Sequence, residues 1–308
     1  MNAVMATSAV CLLAAGSTAL AAEAKGPVGA DDIDELESII VTATRLPIRA
    51  FAVPAMAYAE SAADIQGLYQ SRTLPEALGE VPGVLVQKTS NGQGSPFIRG
   101  FTGFRNVLLV DGIRLNNSAF REGPNQYWNT VDPYSLQSVE VLKGTAAVPY
   151  GSDAIGGVVN VITDIADAGN AGFAPRLLYR HADAESSQTG RAEALYRSDA
   201  LRARGGVTYR DYGNVEAGGG TGVQPRTGYD ERNADARVEY DLDERTTFIA
   251  GYQFVDQDDA WRTHRTIYGI GWNGTQAGTY RALVFDQRRQ LGYLQLRHDG
   301  LGALADTV

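Results

Sequence analysis

The fold class predicted by this 308-residue sequence is an α+β domain followed by the first strands of an antiparallel transmembrane β-barrel. Three observations predict it. Between Arg72 and Thr163, short apolar β-rich runs are cut by glycine turns, and each is too short for a long helix. Beyond Pro175 the pattern changes to period-2 alternation, with apolar residues at one parity and arginines and carboxylates at the other. The connections in that second part are alternately tight and long.

The first element is an apolar run. Met1 to Ala24 contains AVCLLAAG and small-x-small sites at Ala19-Leu20-Ala21 and Ala22-Glu23-Ala24, the pattern of a secretory signal, although no basic residue precedes it. Without a basic start, the true initiation site is expected upstream; an uncleaved anchor helix is the alternative. After that run no stretch of about 18 apolar residues occurs, so helical membrane spans are not expected. Cys11 is the single cysteine; once the leader is removed, disulfides and cysteine–metal sites are excluded. The net charge of −9 offers no basic stripe to phosphates and argues against nucleic-acid binding.

An acidic tail follows, with Asp31, Asp32, Asp34, Glu35 and Glu37, and reads as a solvated extension. It leads to Ile39, Ile40, Val41, Thr42 and Ala43, a β-prone run stopped by Pro47. Such a segment suits strand addition, in which backbone hydrogen bonds give affinity and alternate side chains give register.

Within the α+β part, Ser61 and Asp64 can start a short helix through Gln66. Thr73-Leu-Pro-Glu76 reads as a capping box for a helix ending near Val81, before Pro82-Gly83. Val84–Gln87, Pro96–Arg99, Val107–Asp111, Val139–Leu142 and Val158–Ile162 read as strands around one small sheet. Lys88 to Ser95 is polar and glycine-rich and is expected to be a mobile surface loop; Asn116 to Trp128 is a second loop with two aromatics at its end. Lys143-Gly144 lacks the spacing of a phosphate loop, and Gly151, Gly156 and Gly157 do not match a dinucleotide fingerprint.

The blocks RTLPEALGEVPGVLVQ, SPFIRGF, NVLLVDGIRLNN, SVEVLKG and YGSDAIGGVVNVIT, in that order and spacing, closely resemble the plug domain of TonB-dependent outer-membrane receptors. The resemblance implies several assignments. Ile39 to Ala43 resembles the TonB box, which pairs with the periplasmic TonB protein. The two loops would form plug apices touching the ligand, through Asn91, Gln93 and Ser95 in the first and Asn117, Phe120, Arg121, Tyr127 and Trp128 in the second. Capping of the plug core is the alternative role for Tyr127 and Trp128. Arg99 and Glu140, ionisable groups in apolar strands, would contact the barrel wall; two solvated charges on the outer face of the sheet are the alternative.

In the second part, Leu201, Ala203, Gly205, Val207 and Tyr209 alternate with Arg202, Arg204, Gly206, Thr208 and Arg210. Asn233 to Leu242 alternates in the same way, and Arg191–Arg197 and Thr247–Val255 less cleanly. This is the apolar-out, polar-in pattern of an outer-membrane barrel. Ser198-Asp199, Leu242-Asp243-Glu244 and Asp299-Gly300 are tight turns, whereas Gly213–Glu231 and Asp256–Phe285 are long connections. Asp256, Asp258 and Asp259 in the last could hold a hard cation, and His264 could touch an iron-bearing ligand. His181, His264 and His298 are scattered and form no metal or catalytic cluster.

The expected organisation is a signal peptide (1–24), a periplasmic tail with TonB box (25–46), a plug (47–164) and a partial barrel (165–308). The family barrel has 22 strands, so the expectation is that this chain is an N-terminal fragment. The function implied is energised uptake, across the cell outer membrane, of a large scarce nutrient such as a ferric siderophore, haem or cobalamin. TonB and outer-membrane lipid are the implied partners, with no cofactor. A passive porin-like protein or an adhesin with a plug-like module is the alternative. An enzyme is not expected, since no nucleophile, base and orienting group share a motif.

Overall fold

The computed structural model describes residues 56–116, 123–124, 126–144, 150–163, 165 and 171–299, together with the backbone of Ala9–Leu13, Ile40–Val41 and Ile48–Arg49. The first domain is built on a five-stranded sheet. Its strands are β1 (Met56–Ser61), β4 (Asn106–Val110), β5 (Ile113–Arg114), β6 (Ser138–Lys143) and β7 (Gly157–Ile162), in the order β1-β6-β7-β4-β5. Only the β7–β4 pair is parallel. Val107 to Val110 and Val158, Val159 and Val161 are buried on both faces, as expected of central strands with continuous β-branched and leucine runs. Leu74 and Leu78 of α1 (Leu74–Leu78), Ile65 and Trp128 close one face of this core.

The predicted strands are all present, lengthened by one to three residues at several ends. β1 escaped prediction. Met-Ala-Tyr-Ala-Glu-Ser carries little β propensity, and tertiary pairing to β6 holds it extended. Ser61 does start the next turn, Asp64–Leu68: the Asp64 N–H donates to Ser61 Oγ at 3.1 Å. The capping box of α1 differs from expectation. Thr73 makes no side-chain cap, and Glu76 reaches back to the N–H of Arg72 (2.8 Å), because the Arg72 guanidinium draws the carboxylate one residue further.

The expected mobile loop at Lys88 to Ser95 is instead a tight hairpin between β2 (Val84–Ser90) and β3 (Gln93–Ile98). Its polar tip is buried. Polarity signals exposure only when water is the sole available partner, and here a second sheet supplies others.

That second sheet is an antiparallel meander of β8 (Gly172–Ala182), β9 (Ser187–Arg197), β10 (Leu201–Tyr212), β11 (Tyr229–Asp243), β12 (Thr246–Trp261) and β13 (Val284–His298). Among the described residues its outer edges are β13 and the run Ala9–Leu13, which lies antiparallel beside Leu177–His181 of β8. The stretch read as a linker becomes strand at Gly172. Pro175 is tolerated there because the Ala9–Leu13 run does not reach its level.

One face of this wall is apolar and uncovered. A register row joins Leu177, Ala192, Val207, Ala234 and Phe254, with Tyr179 and Tyr209 towards one end and Tyr196, Tyr240 and Phe248 towards the other. Val207 is 58 % exposed, whereas its neighbours Gly206 and Thr208 are buried against the first domain. No described helix is long and apolar enough to cross a membrane. β12 and β13 run on to Trp261 and back from Val284, so Asp256 and Asp258 are strand residues and not part of a loop. Among the described residues no group of three or more acidic, histidine or cysteine side chains is arranged to hold a metal.

Candidate functional site

The seam between the first domain and the wall is the most highly organised polar region of the molecule. Its centre is Asp132, in the turn before β6 and almost fully buried. The Asp132 carboxylate takes the N–H of Tyr134 (2.9 Å) and the hydroxyl of Thr208 (2.7 Å), and is paired with the guanidinium of Arg210. Arg191 stands 3.7 Å away and is itself held bidentately by Asp235 (2.7 and 3.1 Å) and by Glu193 (2.8 Å). Gly206 leaves room for the Arg191 guanidinium, which a Cβ there would displace. Burial works against the charge on Asp132. Arg210, then Arg191 and the two hydrogen bonds, outweigh it and hold the carboxyl below the usual carboxylate range.

Two further contacts flank this centre. Arg72 pairs with Glu76 on α1 and with Glu185 of the wall, and donates to Asn91 Oδ1 at 2.9 Å. Burial pushes Glu76 up, but hydrogen bonding and charge from Arg72, then Lys88, bring its pKa down to about 2. On the opposite flank, Asp111 accepts the hydroxyl of Tyr293 (2.5 Å) and lies 3.2 Å from Arg237, which also donates to Tyr293 at 3.0 Å. Arg289 donates to the carbonyl of Thr130 at 2.8 Å, and Arg176 to Gln66 Oε1 at 2.7 Å. Most of these contacts are charge-assisted hydrogen bonds from wall arginines to acceptors of the first domain, and Arg72 runs the other way, from the first domain to the wall carboxylate of Glu185.

The hairpin tip is seated in the same seam. Gln93 donates to the carbonyl of Ala260 (3.0 Å), and Gln257 to that of Gly92 (3.3 Å). The Tyr229 ring lies so close to Gly92 that a Cβ there would meet it at 3.0 Å. Asn91 and Gln93 are therefore buried at the end of the wall where the long connections emerge, and Ser95 is buried one step back, beside Thr102 of the first domain. Tyr127 and Trp128 stack at 5.8 Å inside the core of the first domain, the arrangement of the core-capping alternative. Burial raises the Tyr127 phenol. Tyr127 also lines a cavity of about 370 Å³ with Leu115, Thr130 and the wall residues Asp286 to Arg289.

Asn117, Phe120 and Arg121 lie outside the described residues, as do Ile39, Thr42 and Ala43. The backbone of Ile40–Val41 is extended and pairs antiparallel with Ile48–Arg49. Arg99 is exposed, at a positive φ of 53°, beside Gly144. Glu140 is buried in the sheet between Ala59 and Asn160. Sequence reasoning missed Arg72, Asp111, Asp132 and their wall partners. No local pattern marks Asp132, because its partners Thr208 and Arg210 lie 76 and 78 residues away.

A small α+β domain held by polar contacts against the inner face of an apolar-out meander defines a plugged β-barrel architecture. Residues 49–158 match the family model of the TonB-dependent receptor plug domain. Over 251 residues the chain is 29 % identical to the vitamin B12 transporter BtuB of Vibrio vulnificus, an overlap of 79 % of this chain and 39 % of that protein. Among solved structures it is similar to the ferric enterobactin receptor PfeA of Pseudomonas aeruginosa (20 % identity, TM-score 0.59, 80 % of this chain and 39 % of that one). The copper transporter OprC is also similar (16 % identity, TM-score 0.64, 82 % and 36 %). Residues 49–158 thus form a TonB-dependent receptor plug domain, and the strands that follow share the fold of part of a receptor barrel wall. The chain spans about 39 % of the length of the curated relative it matches.

Proposed function

We propose that this chain serves as a TonB-dependent outer-membrane receptor that takes up a scarce nutrient such as a ferric siderophore, haem or cobalamin. The observation that carries this reading is the seam. A plug retained by ion pairs and hydrogen bonds can be displaced by a pull, since each such contact can be exchanged for water, whereas an apolar weld could not. TonB is the source of that pull, pairing as an added strand with Ile39 to Ala43. The two-residue ladder between Ile40–Val41 and Ile48–Arg49 is short enough to be exchanged for a longer one. In this reading the nutrient docks at the end of the wall that carries the long connections, above Asn91, Gln93 and Ser95 and beside the segment containing Asn117, Phe120, Arg121, Tyr127 and Trp128. Arg99 and Glu140 are proposed to act in seating the plug. The relatives are a vitamin B12 transporter, a ferric enterobactin receptor and a copper transporter, which supports uptake in general without choosing the cargo.

Titration of a peptide spanning Ser38 to Arg45 with the TonB C-terminal domain tests the reading. Binding is expected, and Ile40→Pro should abolish it by removing a backbone donor. Equal binding by both peptides, or by neither, would favour a passive pore or adhesin.

A further inference from the structure

The two long connections of the wall meet at one side chain. β11 and β12 are paired strands, so the connection that enters Tyr229 and the one that leaves Trp261 emerge side by side. Each is strapped within itself. In the first, Asn214 Oδ1 accepts the N–H groups of Thr227 (2.9 Å) and Gly228 (3.2 Å), and the Val215 N–H donates to Thr227 Oγ1 (2.8 Å). In the second, the Ile267 N–H donates to the carbonyl of Tyr280 (2.9 Å) and the Gly278 N–H to that of Thr266 (3.0 Å). Arg226 crosses from the first to the second: its guanidinium lies 4.4 Å from both the Trp261 and the Tyr268 rings. Those rings stand edge to face, 5.8 Å apart at 89°, and form a corner that receives the cation. Arg226 pairs with no carboxylate of the described residues. Its backbone is left-handed, at a φ of 59°, which a long side chain adopts only where surrounding contacts hold it there.

We propose that Arg226 is a positioning residue of the docking end, joining the two long connections into one unit so that a cargo touching either meets both in place. The inference rests on the receptor reading above and adds to it how the docking end is held. Ordering two separate segments at the moment of binding costs affinity, and a clamp formed beforehand removes part of that cost. The clamp needs a cation: both rings attract positive charge, whereas an apolar side chain of the same length would only fill the corner. It also adjoins the seated plug tip. Tyr229, which follows closely after Arg226, packs on Gly92, and Ala260, next to Trp261, accepts the hydrogen bond from Gln93.

Hydrogen exchange of the whole chain in detergent, with no cargo added, tests the clamp. Arg226→Met keeps the length of the side chain but not its charge. It is expected to speed exchange about threefold or more in both 214–227 and 262–268, and to leave the wall amides at 232–240 unchanged. Arg226→Lys keeps the cation and should retain most of the protection. Tyr268→Leu, made in the second connection, should speed exchange in the first, at 214–227, by a similar factor. Equal protection in Arg226→Met and Arg226→Lys, loosening confined to the connection that carries the substitution, or loosening that extends to 232–240 would overturn the proposal. The titration of the Ser38 to Arg45 peptide with the TonB domain separates the two failures. If the peptide binds while the connections exchange independently, only the clamp falls; if they exchange as one unit while the peptide does not bind, the receptor reading falls.

Discussion

Inside the plug, Leu108, Val141 and Val159 pack against Leu74, Leu78 and Trp128 with apolar contacts only, whereas against the wall the same domain presents Arg72, Asp111 and Asp132. The core residues are fully buried and the seam mostly so, but the two interfaces are chemically opposite. Apolar burial contributes net stability roughly in proportion to area, so the plug core holds the plug as a unit. Buried ion pairs roughly break even against desolvation, but they demand their partners once formed. The seam therefore fixes position and orientation more than it adds strength, which suits the proposed displacement of the plug as a folded unit.

The largest way to break that contrast is to cut into the core. Leu108→Ala should cost about 4 kcal/mol of plug stability, read as a lower urea midpoint for exchange of β4, β6 and β7 amides. A seam change should act elsewhere. Asp132→Ala strands Arg210 and Arg191 and should cost about 3 kcal/mol of docking, seen as faster proteolytic release of the plug with its core amides still protected. Replacing both sides at once, Asp132→Leu with Arg210→Met, should restore most of that loss. A double variant as weak as the single one would mean that the ion pair is worth far more than its desolvation cost.

Acid should loosen the seam more gently. Glu76 and Asp132 are both held below their ordinary values, so their contribution is complete above the unfolded range near 4 and declines as pH falls, for Glu76 towards about 2. Docking should be unchanged between pH 7 and 5 and weaken between 4 and 2. Loss already at pH 6 would implicate another group. The smallest effect is expected at the rim, where Arg288 is 65 % exposed in its pair with Asp256: Arg288→Ala should shift stability by less than about 0.5 kcal/mol.

The same contrast explains what the sequence made legible. β4, β6 and β7 could be read because their β-branched runs carry the pattern locally, and β10 and β11 because alternation with arginines has few other meanings. β1 could not, since its pairing with β6 is a tertiary gain. β13 was bracketed by the connections Asp256–Phe285 and Asp299-Gly300 but showed no alternation, because Gln287, Arg288, Arg289 and Gln290 blur the parity that the wall restores. The hairpin tip at Asn91-Gly92 was misread as mobile because its partners, Tyr229, Gln257 and Ala260, lie far along the chain. Asp132 illustrates the general limit: the burial of a charge and the partner it takes are both properties of the fold.

Native-state hydrogen exchange of the whole chain in detergent, at rising sub-denaturing urea, tests the central claim most directly. Tip and seam amides at 91–93 and 130–134 should lose protection at lower urea than those of β4, β6 and β7, showing a plug that leaves the wall before it unfolds. Loss of protection by both sets at one common urea concentration would contradict it, since seam and core would then be a single cooperative unit.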